Sequence, residues 1–175
     1  MRSVLLVDDD KNILTTLQIH LEDLGFNPLI AQTGEQGVDI FKRAKPDIVL
    51  LDLKLPDMSG LDALKEILAA DSKTYVVIIT AYATIDTAVQ AIKIGAFDYL
   101  PKPFTSAQIT HLIAMIEKVQ SLESEVESLK EKLKGVFQEG DFITANRKIR
   151  AILKTARQVA DSDAGILISG ESGTG

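Results

Sequence analysis

Residues 3–10 read SVLLVDDD, a short β-favouring run set directly against three aspartates. Val and its β-branched relatives suit a pleated, buried surface, so residues 3–7 (SVLLV) read as a strand ending at an acidic cluster. The pattern recurs along the chain. PLIA (28–31), DIVLL (47–51), YVVIIT (75–80) and FDYL (97–100) are further strands, and DIVLL runs straight into Asp52. Between them lie segments of helical period. From Lys11, one face carries Ile13, Leu14, Leu17, Leu21 and Leu24, closed by Gly25. Thr33 and Gln36 are spaced as a capping box that opens a second helix. LDALKEILAA (61–70) and TAVQAIKI (87–94, closed by Gly95) supply two more. Strands that alternate with helices predict an α/β fold with a doubly wound, five-stranded parallel sheet, because parallel neighbours need crossover helices. Two of the strands are apolar at every position, as burial on both faces demands.

The fifth helix starts at a capping box, Thr105 to Gln108, and runs past the length of an ordinary globular helix. Apolar residues recur at Ile109, Leu112, Ile116, Val119, Leu122, Val126, Leu129 and Leu133, with charged residues between and a break expected from Gly135 to Gly140. This near-heptad spacing predicts an extended C-terminal coiled-coil helix that pairs two copies of the chain through a 112–133 seam. A further helix (146–160) and the strand-like GILIS (165–169) lead into GESGTG, that is Gly170, Glu171, Ser172, Gly173, Thr174 and Gly175. These six are the start of a Gly-x-x-x-x-Gly-Lys-[Ser/Thr] phosphate loop, without its lysine.

Composition narrows the function. The 175 residues are 46% hydrophobic, with no run long enough to span a bilayer and an N-terminus unlike a signal peptide. With no cysteine there is neither a disulfide frame nor a thiolate metal site, and a net charge of -6 argues against general nucleic-acid affinity. A cytoplasmic protein without a membrane partner is expected.

In a doubly wound sheet, ligands sit at the carboxyl ends of the strands. There stand Asp8, Asp9 and Asp10 after the first strand, Asp52 after the third, Thr80 ending the fourth and Lys102 after the fifth. Converging carboxylates repel and call for a hard cation such as Mg2+. A carboxylate beside a divalent cation, a lysine and a hydroxyl can accept a phosphoryl group, since those partners neutralise its equatorial oxygens. Taken singly, each residue is ordinary: a strand-end Asp caps a helix, and Lys-Pro makes a turn. Their combination at successive strand ends is what points to chemistry.

LLVDDD, VLLDLKLPDMSG, VIITAYA and GAFDYLPKPF together resemble the receiver domain of bacterial two-component response regulators, from about residue 2 to 120. The resemblance implies a flavodoxin-like sheet of order 2-1-3-4-5, with Asp52 as phosphoacceptor. It implies Mg2+ held by Asp8, Asp9, Asp52 and the Lys54 backbone carbonyl. Phosphoryl oxygens would be bound by Thr80, the Ala81 backbone and Lys102, with a cis bond before Pro103, and Tyr99 would be the aromatic switch residue. Asp10 reads as a helix cap. Lys54 and Tyr82 flank the approach of hydrolytic water and are expected to slow dephosphorylation.

The remainder resembles the start of the AAA+ domain of sigma-54-dependent activators of the nitrogen-regulatory type. The implied organisation is a receiver over 1–120, a coiled-coil linker over 121–139 and the beginning of an AAA+ sigma-54 interaction domain over 140–175. Implied partners are a sensor histidine kinase and a second copy of the chain, through linker and receiver. Sigma-54 RNA polymerase and DNA would be met only through other regions, and ATP would be bound only by an intact AAA+ domain. The chain itself is expected to act as a switch rather than an enzyme. Three rival readings fit less well. A dehalogenase-type phosphatase wants a second acid two residues beyond the nucleophile, where Lys54 stands. A flavodoxin-like cofactor carrier would have its phosphate repelled by three aspartates, and a P-loop ATPase lacks its lysine here.

Overall fold

A computed structural model describes residues 2–81, 84–136, 144–159 and 167. The chain divides into two compact units, 1–121 and 122–175. In the first, the strands are β1 (Ser3–Val7), β2 (Asn27–Ala31), β3 (Ile48–Leu51), β4 (Tyr75–Thr80) and β5 (Asp98–Pro101). The helices between them are α1 (Lys11–Asp23), α2 (Gly34–Ala44), α3 (Gly60–Ala70) and α4 (Ile85–Ile94), and α5 (Ser106–Val136) follows β5. All pairings are parallel and the sheet order is β2-β1-β3-β4-β5.

Strand residues alternate between two cores. Leu5, Val7, Val49, Leu51, Val76 and Ile78 pack with Val38 and Phe41 of α2, Leu64 and Ile67 of α3 and Ala91 of α4. Their strand neighbours Val4, Leu6, Ile48, Leu50, Val77 and Ile79 pack with Leu14, Leu17 and Leu21 of α1 and with Ile109, Leu112, Ile113 and Ile116 of α5. Burial on both faces explains why these strands show no polar alternation. Each fully buried aliphatic side chain contributes about 1.5–3 kcal/mol.

The helix starts are set by side-chain caps. Asp10 accepts from the amides of Asn12 and Ile13, as a cap should. Thr33 accepts from the Gln36 amide, but Gln36 Oε1 bonds the amide of Gln32, one residue before the cap, so the expected box is only half closed. The Thr105–Gln108 box closes in both directions. α4 begins two residues before the expected start, because Thr84 and Thr87 form a reciprocal box of their own. Gly25 follows α1 with φ +84°, in the left-handed region that a glycine enters without strain.

The last described residue of α5 is Val136, within the break expected from Gly135 to Gly140, of which 137–140 lie outside the described residues. One expectation for α5 changes. Leu112 and Ile116, expected on an intermolecular seam, are buried in the receiver's own core. The apolar stripe turns toward solvent only further on, where Leu122, Val126 and Leu129 are 52%, 49% and 51% exposed. In the second unit, α6 (Arg147–Val159) matches the helix expected near 146–160. GILIS, apart from Leu167, and Gly170–Gly175 lie outside the described residues, as does Tyr82.

Candidate phosphoacceptor site

The order β2-β1-β3 places the switch in strand order at β1 and β3, and the carboxyl ends of the strands at such a point are where this type of sheet binds ligands. Register does the rest. Val7 pairs with Leu51, so the next residues, Asp8 and Asp52, emerge side by side. The Asp52 amide donates to the Val7 carbonyl (2.9 Å) and the Asp8 amide to Ala31 (3.1 Å). On the other flank, the Lys102 amide donates to the Thr80 carbonyl (2.9 Å), so β5 delivers its lysine to the same end. The Lys102–Pro103 bond is cis.

Lys102 Nζ donates to Asp8 Oδ2 (2.5 Å) and to Asp52 Oδ2 (2.7 Å), and both carboxylates are buried. Their other oxygens are also engaged: Asp8 Oδ1 accepts from the Asp10 amide (3.0 Å) and Asp52 Oδ1 from the Lys54 amide (3.1 Å). Asp9, exposed at the rim, brings a third carboxylate, and one oxygen from each of Asp8, Asp9 and Asp52 lies within 4.8 Å of the others. Burial pushes the Asp8 carboxyl above its ordinary value, and the neighbouring Asp52 adds to the rise; the opposing pull of Lys102 and the Asp10 amide does not cancel them. For Lys102, burial favours loss of the proton, yet its bonds to Asp52 and Asp8 prevail and hold it above the usual lysine range.

Three carboxylates face one ammonium, so the cluster carries excess negative charge in a low-dielectric pocket. Its donors are all hard oxygens, a set that suits Mg2+ and no soft metal. The residues therefore fit that ion. Thr80, wholly buried, ends β4 beside the cluster, and Ala81 follows it at the surface. Tyr99 lies on β5, half-buried, with its hydroxyl 3.4 Å from Thr87 Oγ1 in the α4 cap. Lys54 is exposed on the loop after β3.

The profile described as "Response regulator receiver domain" matches residues 4–114. The chain belongs to this response regulator family. Beyond the receiver match, the chain is 37% identical over 172 residues to the Regulatory protein AtoC of Escherichia coli (strain K12), covering 98% of this chain and 37% of that protein. The alginate biosynthesis transcriptional regulatory protein AlgB of Pseudomonas aeruginosa is 39% identical over 173 residues, covering 98% of this chain and 38% of AlgB. The chain thus spans well under half the length of these relatives. A solved receiver domain of a LuxO repressor protein from Vibrio parahaemolyticus superposes with a TM-score of 0.68 at 37% identity, covering 73% of this chain and 98% of that one. Receivers hold Mg2+ at an acidic pocket, and Asp8, Asp9 and Asp52 form the pocket of this one.

PDMSG (56–60) entered the sequence reading only as part of a family motif, with no role for its individual residues, and the structure shows it to be closely fitted. A Cβ on Gly60 would lie 2.1 Å from the Asp52 carbonyl oxygen and 2.5 Å from Leu53 Cα, both backbone atoms that cannot swing aside. Gly60→Ala is expected to cost at least the 1–3 kcal/mol typical of overpacking and to displace Asp52. Thermal unfolding by circular dichroism checks it; a melting temperature equal to wild type would contradict the contact. Asp57 is the second omission. Its Oδ1 and Oδ2 accept from the amides of Gly34 and Glu35, each at 2.8 Å, across the loop from α2. Partial desolvation pulls its carboxyl upward, but the amides of Glu35, Gly34, Asp57 itself and Met58 outweigh it and hold it below the ordinary range.

Proposed function

We propose that this chain is a phosphorylation-controlled switch in which Asp52 takes a phosphoryl group from a sensor histidine kinase or a small acyl phosphate. The observation that carries this reading is one ammonium, Lys102 Nζ, bonded to both Asp8 and Asp52 at adjacent strand ends. An Asp52 carboxylate oxygen attacks phosphorus, the bond to the donor's leaving oxygen or nitrogen breaks, and an aspartyl phosphate results. Lys102 neutralises charge on the transferred oxygens, and the Thr80 hydroxyl, with the Ala81 backbone, donates to them. Asp8, Asp9, Asp52 and the Lys54 carbonyl would hold Mg2+, which supplies further charge neutralisation when bound. Incubation with acetyl phosphate, with and without Mg2+, followed by intact-mass measurement tests the reading: a gain of one phosphate only with Mg2+ supports it.

Movement of Thr80 toward the phosphate makes room for Tyr99 to turn inward, which would release its hydroxyl from Thr87 and loosen the cap of α4. The output we infer is regulation of sigma-54-dependent transcription, through an AAA+ ATPase domain of which residues 140–175 are the beginning. ATP, sigma-54 RNA polymerase and DNA would be bound by regions outside this chain. The receiver would occupy 1–120 and a dimerising linker 121–139, in the cytoplasm where the kinase phosphorylates. Among the described residues no helix is long and apolar enough to cross a membrane.

Dephosphorylation is expected to be slow. Water must reach phosphorus in line with the Asp52 oxygen; Lys54 is exposed on the loop that carries Asp52, and Tyr82, outside the described residues, follows Thr80 by two positions in sequence. Lys54→Asn combined with Tyr82→Glu should shorten the phosphorylated lifetime about tenfold, or ~1.4 kcal/mol of barrier. Following phosphoprotein decay after donor removal checks this, and equal lifetimes would show that the pair gates nothing.

A further inference from the structure

The loop from Leu53 to Ser59 is held at two places. At its base, the Gly60 amide donates to the Leu53 carbonyl (2.8 Å), Lys54 and Ser59 form an isolated antiparallel bridge, and Gly60 lies against the Asp52 backbone. At its tip, both oxygens of Asp57 grip the first two amides of α2. The acceptor is an anion and the donors are unpaired amides at the positive end of a helix dipole, so these bonds are charge-assisted. Thr33 already serves as the side-chain cap of α2 through the Gln36 amide. Asp57 thus adds a second set of bonds, reaching across from another part of the chain. Lys54, joined to the base through its bridge to Ser59, donates its amide to Asp52 Oδ1.

We propose that Asp57 is a positioning residue for the phosphoacceptor: by tying the loop tip to α2, it fixes the Lys54 peptide against Asp52. This inference rests on the reading of Asp52 as the acceptor and of the Lys54 carbonyl as a Mg2+ ligand. On that reading, a freed tip lets the Lys54 peptide rotate, so the amide leaves Asp52 Oδ1 and the carbonyl turns away from the ion it would hold. The effect belongs with those of outer partners that orient metal ligands, whose loss weakens metal binding about tenfold or more.

The clasp can be opened from either side. Asp57→Asn replaces one acceptor oxygen by an NH2 group that faces an amide N–H. Glu35→Pro changes no loop residue, removes the Glu35 donor and sets its ring against the Gly34 N–H, the other donor, so it opens the clasp from the α2 side. Proline is tolerated in a helix's first turn, and the preceding Gly34 has no Cβ to meet the ring. Glu35→Ala keeps the amide and serves as control. Two quantities are measured in the 175-residue chain: exchange of the Lys54 amide in metal-free protein, and Mg2+ affinity by calorimetry. Asp57→Asn and Glu35→Pro should each speed Lys54 exchange and weaken Mg2+ binding by about tenfold, with Glu35→Ala equal to wild type. Lower thermal stability with unchanged Lys54 exchange in either variant would make the clasp merely structural and overturn the proposal. Should Asp57→Asn not fold, Glu35→Pro alone decides. A wild-type chain that bound no Mg2+ would defeat the metal reading, while Lys54 exchange would still judge the positioning role.

Discussion

Asp52→Asn protein is expected to take up no phosphoryl group from acetyl phosphate, at any Mg2+ concentration. The substitution preserves shape and burial but removes the anionic oxygen that attacks phosphorus, so the loss should be complete rather than graded. The arrangement leaves no substitute. Asp8 is buried and bound to the same Lys102 Nζ, and its other oxygen is taken by the Asp10 amide. Asp9 is exposed at the rim, remote in sequence from the loop that aligns Asp52 through the Lys54 amide. Asp9→Ala should lose most of the uptake by a different route, since one of three clustered carboxylates is removed and charge on the transferred group goes uncompensated. Chelation of Mg2+ in the wild type should reproduce that loss, and readdition should restore it. Intact mass and peptide mapping give the measurement; phosphate on another residue of Asp52→Asn at comparable yield would overturn the assignment.

The second large effect concerns assembly. Leu122, Val126 and Leu129 recur at spacings of four and three residues on α5, about half exposed in the single chain. Such a stripe among charged neighbours has the spacing of a two-stranded coiled-coil seam. The seam we propose therefore begins near Leu122, not at Leu112, because Leu112, Ile113 and Ile116 are committed to the core under β1, β3 and β4. Leu122→Glu with Leu129→Glu would set like charges against each other at two buried layers, at a cost of several kcal/mol. Light scattering should find a dimer for wild type and a monomer for the variant, with phosphorylation of Asp52 unimpaired. An unchanged mass would mean that the stripe is covered in some other way.

The sequence by itself determined which segments are strands and which are helices, because those properties are local. Runs of Val, Ile and Leu without polar alternation mark strands covered on both faces, and Asp10, Thr33 and Thr105 announce helix starts through bonds to amides two or three residues away. The strand-end positions of Asp8, Asp52, Thr80 and Lys102 were legible for the same reason. What only the tertiary structure decided depends on partners far apart in the chain. The pairing of Val7 with Leu51 brings Asp8 beside Asp52, and the β5 register carries Lys102 to both. The apolar stripe of α5 looks uniform as sequence, yet half is used by the receiver core and half is left to solvent, a division set by where the sheet ends. Asp57 and Gly60 entered the sequence reading only within the VLLDLKLPDMSG motif, with no role of their own. Their significance lies in contacts made 23 residues back, at Gly34, and on the Asp52 backbone, and neither composition nor periodicity encodes such contacts.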